Sequence, residues 1–216
     1  MQKINRFVTL IILTGFALMT TGNIEAQDLR ETPALDKKVR AFLDKTKGDW
    51  DDMNVPYADG QLLYDLIIEN KYTRAVEIGT STGHSSVWIA WALAKTGGTL
   101  ITIEIDEGRH EEALQNFEEA GVSEYIDARL ADAHKLVPEL EGPFDFVFSD
   151  ADKSWYTNYF KALEPDMAVG SAFTAHNTSM RGVQEYIEYV QSLDNWKTEI
   201  KRVSSSGMSV SYKTSK

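Results

Sequence analysis

The sequence predicts an α/β protein with a doubly wound, mostly parallel sheet. Segments with strand and helix patterns alternate along most of the chain, and a glycine turn joins the first predicted strand to a helix. The predicted strands are residues 74–79, 99–105, 125–130, 144–150, 168–175, 197–203 and 208–213. Alternating β and α units imply parallel strands with helices on both faces of the sheet.

The final two strands are joined differently. Only residues 204–207 separate them, which is too short for a crossover and fits an antiparallel hairpin. We therefore expect a seven-stranded sheet that is parallel except for the last strand.

Apolar residues at helical spacing predict the helices, which include residues 33–47, 59–70, 107–120 and 180–193. Asp59 is expected to cap the second of these at its N-terminus.

Composition narrows the function classes. The chain has 216 residues, a formal net charge of −11 and no cysteine. Such an acidic surface repels phosphate backbones, so nucleic acid is not an expected partner and a small-molecule ligand fits better. The lack of cysteine excludes disulfides, thiolate metal sites and cysteine nucleophiles.

The N-terminus resembles a secretory signal peptide. Lys3 and Arg6 precede an apolar run over residues 7–19, and the small Ala26 stands where a cleavage site would fall. We expect residues 1–26 to be a signal peptide or an N-terminal anchor, followed by a single domain over residues 27–216. Cleavage would make the protein periplasmic or extracytoplasmic with no stable membrane span, and an uncleaved leader would anchor it. The sequence leaves a homodimer open.

A glycine-containing turn follows the first predicted strand. Residues 77–85 read E-I-G-T-S-T-G-H-S, which places Gly79 and Gly83 where a strand gives way to a helix. Glycine lets the backbone approach a ligand closely. The G-x-x-x-G spacing differs from the G-x-G-x-x-G of dinucleotide-binding domains, so this turn disfavours NAD and FAD.

An acidic residue ends the next predicted strand. Glu104 follows Gly83 by 21 residues, the placement of a carboxylate that accepts hydrogen bonds from a ribose diol. Asp132 and Asp150 end two further strands and fall at the same edge of the sheet. Ligands of open α/β sheets bind at that edge, so the sequence predicts a nucleoside pocket there.

Further motifs carry a family resemblance. The segments T-I-E-I-D at residues 102–106 and F-D-F-V-F-S-D-A-D-K-x-x-Y at residues 144–156 follow the glycine turn in order. Together they resemble the cation-dependent O-methyltransferases typified by catechol and caffeoyl-CoA O-methyltransferases. The similarity covers roughly residues 53–213 and implies a Rossmann-like fold that binds S-adenosylmethionine.

The resemblance also implies roles for individual residues. The cofactor would be lined by Val55, Glu77, Gly79, Thr80, Ser85, Glu104, Ala133 and Asp150. Asp150 would also hold a divalent cation such as Mg²⁺ or Mn²⁺, and Lys153 would be the general base for a hydroxylated, catechol-like acceptor. Asp152 is expected to cap a helix and not to bind metal.

One position departs from the family pattern. The resemblance implies an Asp-Asn pair as the remaining metal ligands, and this chain has His176-Asn177. An imidazole in place of a carboxylate weakens Mg²⁺ binding and favours Mn²⁺, Fe²⁺ or Zn²⁺. His176 as a ligand, as a base near neutral pH and as a structural histidine all stay open.

Two other interpretations stay open on function. The departure at residue 176 is compatible with a degenerate module that binds S-adenosylmethionine without a functional metal site. Nicotinamide-dependent oxidoreduction is disfavoured by the glycine spacing. The aromatic residues Trp50, Tyr57, Trp155 and Tyr156 fit either a planar acceptor or the core.

Overall fold

The computed structural model describes residues 28–50 and 52–216. The predicted leader at residues 1–26 lies outside the described residues and stays a prediction. Within the described ranges, no helix is both long enough and apolar enough to cross a bilayer.

A seven-stranded sheet forms the centre of the molecule. Its strands are β1 (Arg74–Ile78), β2 (Thr99–Glu104), β3 (Ile126–Leu130), β4 (Phe144–Ser149), β5 (Met167–His176), β6 (Trp196–Lys201) and β7 (Met208–Lys213). They lie in the order β3-β2-β1-β4-β5-β7-β6, and only β7 runs antiparallel to its neighbours. The predicted α/β fold, including its antiparallel last strand, is confirmed.

Helices cover both faces of this sheet. They are α1 (Pro33–Lys45), α2 (Tyr57–Asn70), α3 (His84–Thr96), α4 (Glu107–Ala120), α5 (Ala133–Leu136), α6 (Tyr156–Leu163) and α7 (Arg181–Gln191). Because successive strand residues point to opposite faces, Ala75 packs with α2 and α3, whereas Val76 packs with α6 and α7. Helices α1 and α4 pack against α3.

The start of α2 differs from the prediction. Asp59 does not cap this helix, because the helix begins directly after Pro56, and the Asp59 amide already donates to the Pro56 carbonyl at 2.9 Å. The side chain of Asp59 is fully buried. Its carboxylate is therefore free to take part in contacts far along the chain.

Candidate active site

A cavity of about 770 Å³ opens at the carboxyl ends of the parallel strands. Residues predicted from separate motifs line it together: Gly79, Glu104, Asp132, Ala133, Asp150, Lys153, His176 and Asn177. Their convergence follows from topology, since the ends of β1, β2, β4 and β5 meet at one edge.

The glycine turn forms one wall of the cavity. Gly79 has a φ of +99°, a left-handed conformation that glycine adopts without steric cost. A Cβ atom at this position would lie 2.8 Å from the backbone oxygen of Asp150. The turn therefore packs directly on the segment that carries Asp150, and only glycine fits there without displacement.

Glu104 is fixed beside this turn. One carboxylate oxygen accepts the Ser81 amide at 2.8 Å, and the other accepts the amides of Ile105 and Asp106, both at 2.9 Å. The side chain is 6% exposed and faces the cavity. The backbone thus holds the carboxylate in one orientation, and its remaining lone pairs are available to a ligand.

The next wall is built after β3. Asp132 caps α5 by accepting the His134 amide at 3.0 Å, and Ala133 follows it at the cavity. His134 stacks on Trp155 with ring centroids 3.9 Å apart. His134 lines the cavity, and no sequence motif singled it out.

Four of the predicted cofactor residues are buried outside the cavity lining. Val55, Glu77, Thr80 and Ser85 are 0–5% exposed and do not line the cavity. Their assignment as cofactor contacts stays a prediction.

Glu77 has buried polar partners. It accepts hydrogen bonds from Thr102, at 2.6 Å, and from Ser86. Burial raises the pKa of this carboxyl to about 7, against the opposing effect of the serine and threonine hydroxyls. Among the contacts of the described residues, its second oxygen has no hydrogen-bond partner.

The opposite wall carries a chain of charged groups. Lys153 Nζ lies 2.6 Å from Asp150 Oδ1, and His176 Nδ1 lies 3.0 Å from Asp150 Oδ2. On its other side, His176 Nε2 lies 3.0 Å from Asp59 Oδ2, which also accepts the Ser204 hydroxyl at 2.6 Å. Two carboxylates thus alternate with two basic side chains.

His176 is held as the central cation of this chain. Burial alone would lower its pKa, but hydrogen bonds and charge attraction from Asp150 and Asp59 outweigh that effect and raise the pKa to about 9. The ring is therefore protonated at neutral pH.

This arrangement does not fit a divalent cation. A metal-bound imidazole needs a free nitrogen lone pair, and both nitrogens of His176 are engaged by carboxylates. Each carboxylate oxygen of Asp150 already pairs with a basic side chain, Oδ1 with Lys153 and Oδ2 with His176. In the described parts of the chain, no group of three His, Cys, Asp or Glu side chains is placed to hold a metal. The predicted ligand set of Asp150, His176 and Asn177 thus has no support from this geometry.

Other predicted residues have structural roles. Asp152 accepts the Ser154 amide at 2.9 Å and caps the short helix that follows, as predicted. Trp50 and Tyr57 line a separate cavity of about 340 Å³ beside His84. Tyr156 is fully buried.

Comparison with known proteins now defines the class. The sequence model of a family described as O-methyltransferase matches residues 25–196. That match covers most of the chain, so this protein belongs to the O-methyltransferase family.

Individual relatives agree with this assignment. The chain is 31% identical over 184 residues to a caffeoyl-CoA O-methyltransferase of Populus kitakamiensis, covering 78% of each chain. It is 41% identical over 90 residues to a catechol O-methyltransferase of Niastella koreensis, and this match covers 40% of each chain.

Solved structures share the fold. The O-methyltransferase TomG of Streptomyces achromogenes, involved in tomaymycin synthesis and solved in complex with SAM, superposes with a TM-score of 0.71 at 26% identity. That superposition covers 87% of this chain and 92% of TomG. An O-methyltransferase of Bacillus cereus gives the same TM-score at 20% identity, which supports the fold alone.

Proposed function

We propose that this protein transfers the methyl group of S-adenosylmethionine to a hydroxyl of a small, catechol-like acceptor. The observation that carries the proposal is one cavity that contains both the fixed carboxylate of Glu104 and the Asp150–Lys153 pair. Membership in the O-methyltransferase family supports the reaction type. The catechol and caffeoyl-CoA enzymes among the relatives support a phenolic acceptor.

The cofactor end of the cavity fits a nucleoside. Glu104 retains lone pairs that can accept the hydrogen bonds of a ribose diol. Gly79 lines this end of the cavity with backbone atoms alone, since it has no side chain. Asp132 and Ala133 line the same cavity and would contact the adenine ring.

The acceptor end supplies the chemistry of proton removal. When bound, S-adenosylmethionine offers a methyl carbon whose bond to sulfur breaks with both electrons going to the sulfur. Lys153 pairs with Asp150 as an ammonium group in the resting site and must first release a proton; the amine then takes the proton of the acceptor hydroxyl as the acceptor oxygen forms the new bond to that carbon. Asp150 Oδ1, 2.6 Å away, stabilises the ammonium group that results.

Positioning accounts for the rest of the proposed rate. Helix α5 and the glycine turn would hold S-adenosylmethionine, while the segment after β4 holds Lys153. Since a displacement at carbon requires an in-line approach, fixing both reactants removes much of the entropic barrier.

A turnover assay with a matched pair of variants tests this proposal. Lys153→Met removes the amine from the cavity, whereas Lys161→Met removes an exposed lysine of α6 outside it. With labelled S-adenosylmethionine and a panel of catechols, we expect Lys153→Met to lower turnover by about 100-fold or more and Lys161→Met to leave it unchanged. S-adenosylhomocysteine affinity, measured by calorimetry, is expected to change little in either variant.

The outcomes separate the alternatives. Turnover by Lys153→Met at the wild-type rate would exclude Lys153 as the base. Wild-type protein that binds S-adenosylhomocysteine but methylates no acceptor would favour the degenerate binding module, which the unusual His176 network makes the second candidate. Wild-type protein that neither binds nor methylates would overturn the proposed function.

For the N-terminus, we propose that residues 1–26 direct export or anchor the chain in a membrane. Lys3, Arg6 and the apolar run that follows them support this proposal. Cell fractionation of the full chain, with N-terminal sequencing of the product, tests it. A cytosolic product with an intact N-terminus would contradict it.

A further inference from the structure

His176 occupies an unusual place in the site. It ends β5, is 3% exposed, and lies between carboxylates from two different parts of the fold. Asp59 comes from α2 and Asp150 from the segment after β4. The ring therefore bridges α2 and the segment that directly follows β4.

The engagement of both ring nitrogens does not depend on where the proton sits. If His176 is an imidazolium, each nitrogen donates to a carboxylate at 3.0 Å. If one carboxyl carries the proton instead, the ring nitrogen facing it accepts that proton's hydrogen bond. In both cases no lone pair is directed at the cavity, so the ring cannot serve as a metal ligand.

The charges of the network balance without an added ion. Lys153 supplies one positive charge, and the second proton that the two 3.0 Å contacts of His176 require supplies another, against the negative charges of Asp59 and Asp150. A divalent cation among these groups would add two positive charges beside two existing ones. Those charges repel an added cation, and the carboxylates that would offset the repulsion are already paired with Lys153 and His176.

We propose that His176 replaces the divalent cation of this site as a built-in cation, bound by Asp59 and Asp150, so that the protein works without a metal. The inference deepens the proposed methyl transfer and rests on it. His176 is a positioning residue here, because its nitrogens face carboxylates and not the acceptor. It fixes Asp150, which in turn fixes Lys153 at the cavity.

Metal binding by the full chain tests this inference independently of turnover. After dialysis against a chelator, the protein is titrated with Mn²⁺ and free ion is followed by electron paramagnetic resonance. We expect no stoichiometric binding, and we expect any methyl transfer to be the same with Mg²⁺, with Mn²⁺ and with chelator. Stoichiometric Mn²⁺ binding, or activity lost with chelator and restored by metal, would overturn the inference.

A gain-of-function variant sharpens the test. His176→Asp removes the built-in cation and places a third carboxylate beside Asp59 and Asp150, and we expect Mn²⁺ to bind about 10- to 100-fold more tightly than to wild type. His176→Asn is the matched control, since it removes the cation without adding a carboxylate, and it should gain no such affinity. Binding of S-adenosylhomocysteine verifies that each variant is folded.

A second variant keeps the test possible if His176→Asp does not fold. If three neighbouring carboxylates unfold His176→Asp, the double variant Asp59→Asn/His176→Asp carries one negative charge fewer and should still gain Mn²⁺ affinity. A folded variant of either kind that gains none would show that His176 does not stand in for a cation. Failure of the proposed methyl transfer would appear separately, as absent turnover in a wild-type protein whose metal binding is still measurable.

Discussion

The stability of the protein should fall as pH rises through the titration of His176. Its folded-state pKa, about 9, lies above the ordinary value of 6.5 because Asp59 and Asp150 flank the ring. A group whose pKa is raised by folding contributes stability that is fully present below the unfolded pKa. That contribution is lost as pH rises through the folded pKa. The stability that His176 contributes is therefore lost between pH 6.5 and pH 9.

The magnitude follows from the size of the shift. A difference of about 2.5 pKa units corresponds to about 3 kcal/mol of unfolding free energy, lost at up to about 1.4 kcal/mol for each pH unit. For a domain of this size, that loss corresponds to a fall in Tm of roughly 6–12 °C. The groups facing the ring are Asp59 with its partner Ser204, and Asp150 with its partner Lys153.

Urea denaturation at a series of pH values measures this effect. High salt should be present, because a net charge of −11 otherwise adds general repulsion. Nuclear magnetic resonance of the four histidine rings gives the midpoint of the His176 titration directly. His84 is the internal reference, since burial lowers its pKa to about 4 despite a hydrogen bond to the Val55 carbonyl.

Glu77 also titrates in the folded protein, and a variant of it serves as the control for the pH dependence of stability. Its raised pKa, about 7 in place of 4.5, makes the folded state lose stability as pH rises from 4.5 to 7. Glu77→Gln should remove that earlier loss and leave the decline between pH 7 and 9 unchanged. A flat unfolding free energy over pH 7–9, or a His176 midpoint below 6.5, would refute the assigned imidazolium.

Three further predictions address the cavity. Gly79→Ala places a side chain at a φ of +99° and against the Asp150 backbone. It should therefore lower the unfolding free energy by about 2–4 kcal/mol and weaken S-adenosylhomocysteine binding. Wild-type values for both quantities, measured by calorimetry, would contradict this prediction. Glu104→Gln replaces one of the two accepting carboxylate oxygens by a donating NH2 group, and S-adenosylhomocysteine affinity should fall by about 10- to 100-fold. An unchanged affinity would remove Glu104 from the cofactor site. Without a metal to chelate two oxygens, the enzyme should methylate acceptors with one phenolic hydroxyl at rates within about 10-fold of those for the corresponding catechols. Turnover confined to catechols in a mass-spectrometric assay would contradict this prediction.

Local patterns were enough to predict the fold. The alternation of strand and helix patterns gives the sheet its parallel order, and the short segment before β7 gives its antiparallel end. Gly79 and Glu104 were also accessible from sequence, because each acts next to the end of its own strand. The backbone there determines the position of the side chain.

Residues whose roles depend on distant contacts were not predictable. The sequence pattern predicts that Asp59 caps a helix, yet its carboxylate contacts His176, which lies 117 positions further along the chain. No local pattern encodes that pairing, which arises because α2 and the end of β5 meet at the cavity. His134 was missed for the same reason, since stacking on Trp155 brings two separate segments together.

Side-chain direction explains why Glu77 does not line the cavity. Glu77 lies on the face of β1 opposite to Val76, and strand alternation directs it toward Ser86 of α3. The sequence places it two residues before Gly79, which is close in the chain but on the far side of the backbone.

Diffraction from crystals grown with S-adenosylhomocysteine and Mn²⁺ tests the cofactor site and the built-in cation together. Data collected at the manganese edge should show the ribose hydroxyls at Glu104 and no anomalous peak among Asp150, His176 and Asn177. His176 should remain within hydrogen-bond distance of both Asp59 and Asp150. A manganese peak between Asp150 and Asn177, with the His176 ring turned toward it, would contradict the built-in cation, and a ribose bound away from Glu104 would contradict the assigned cofactor site.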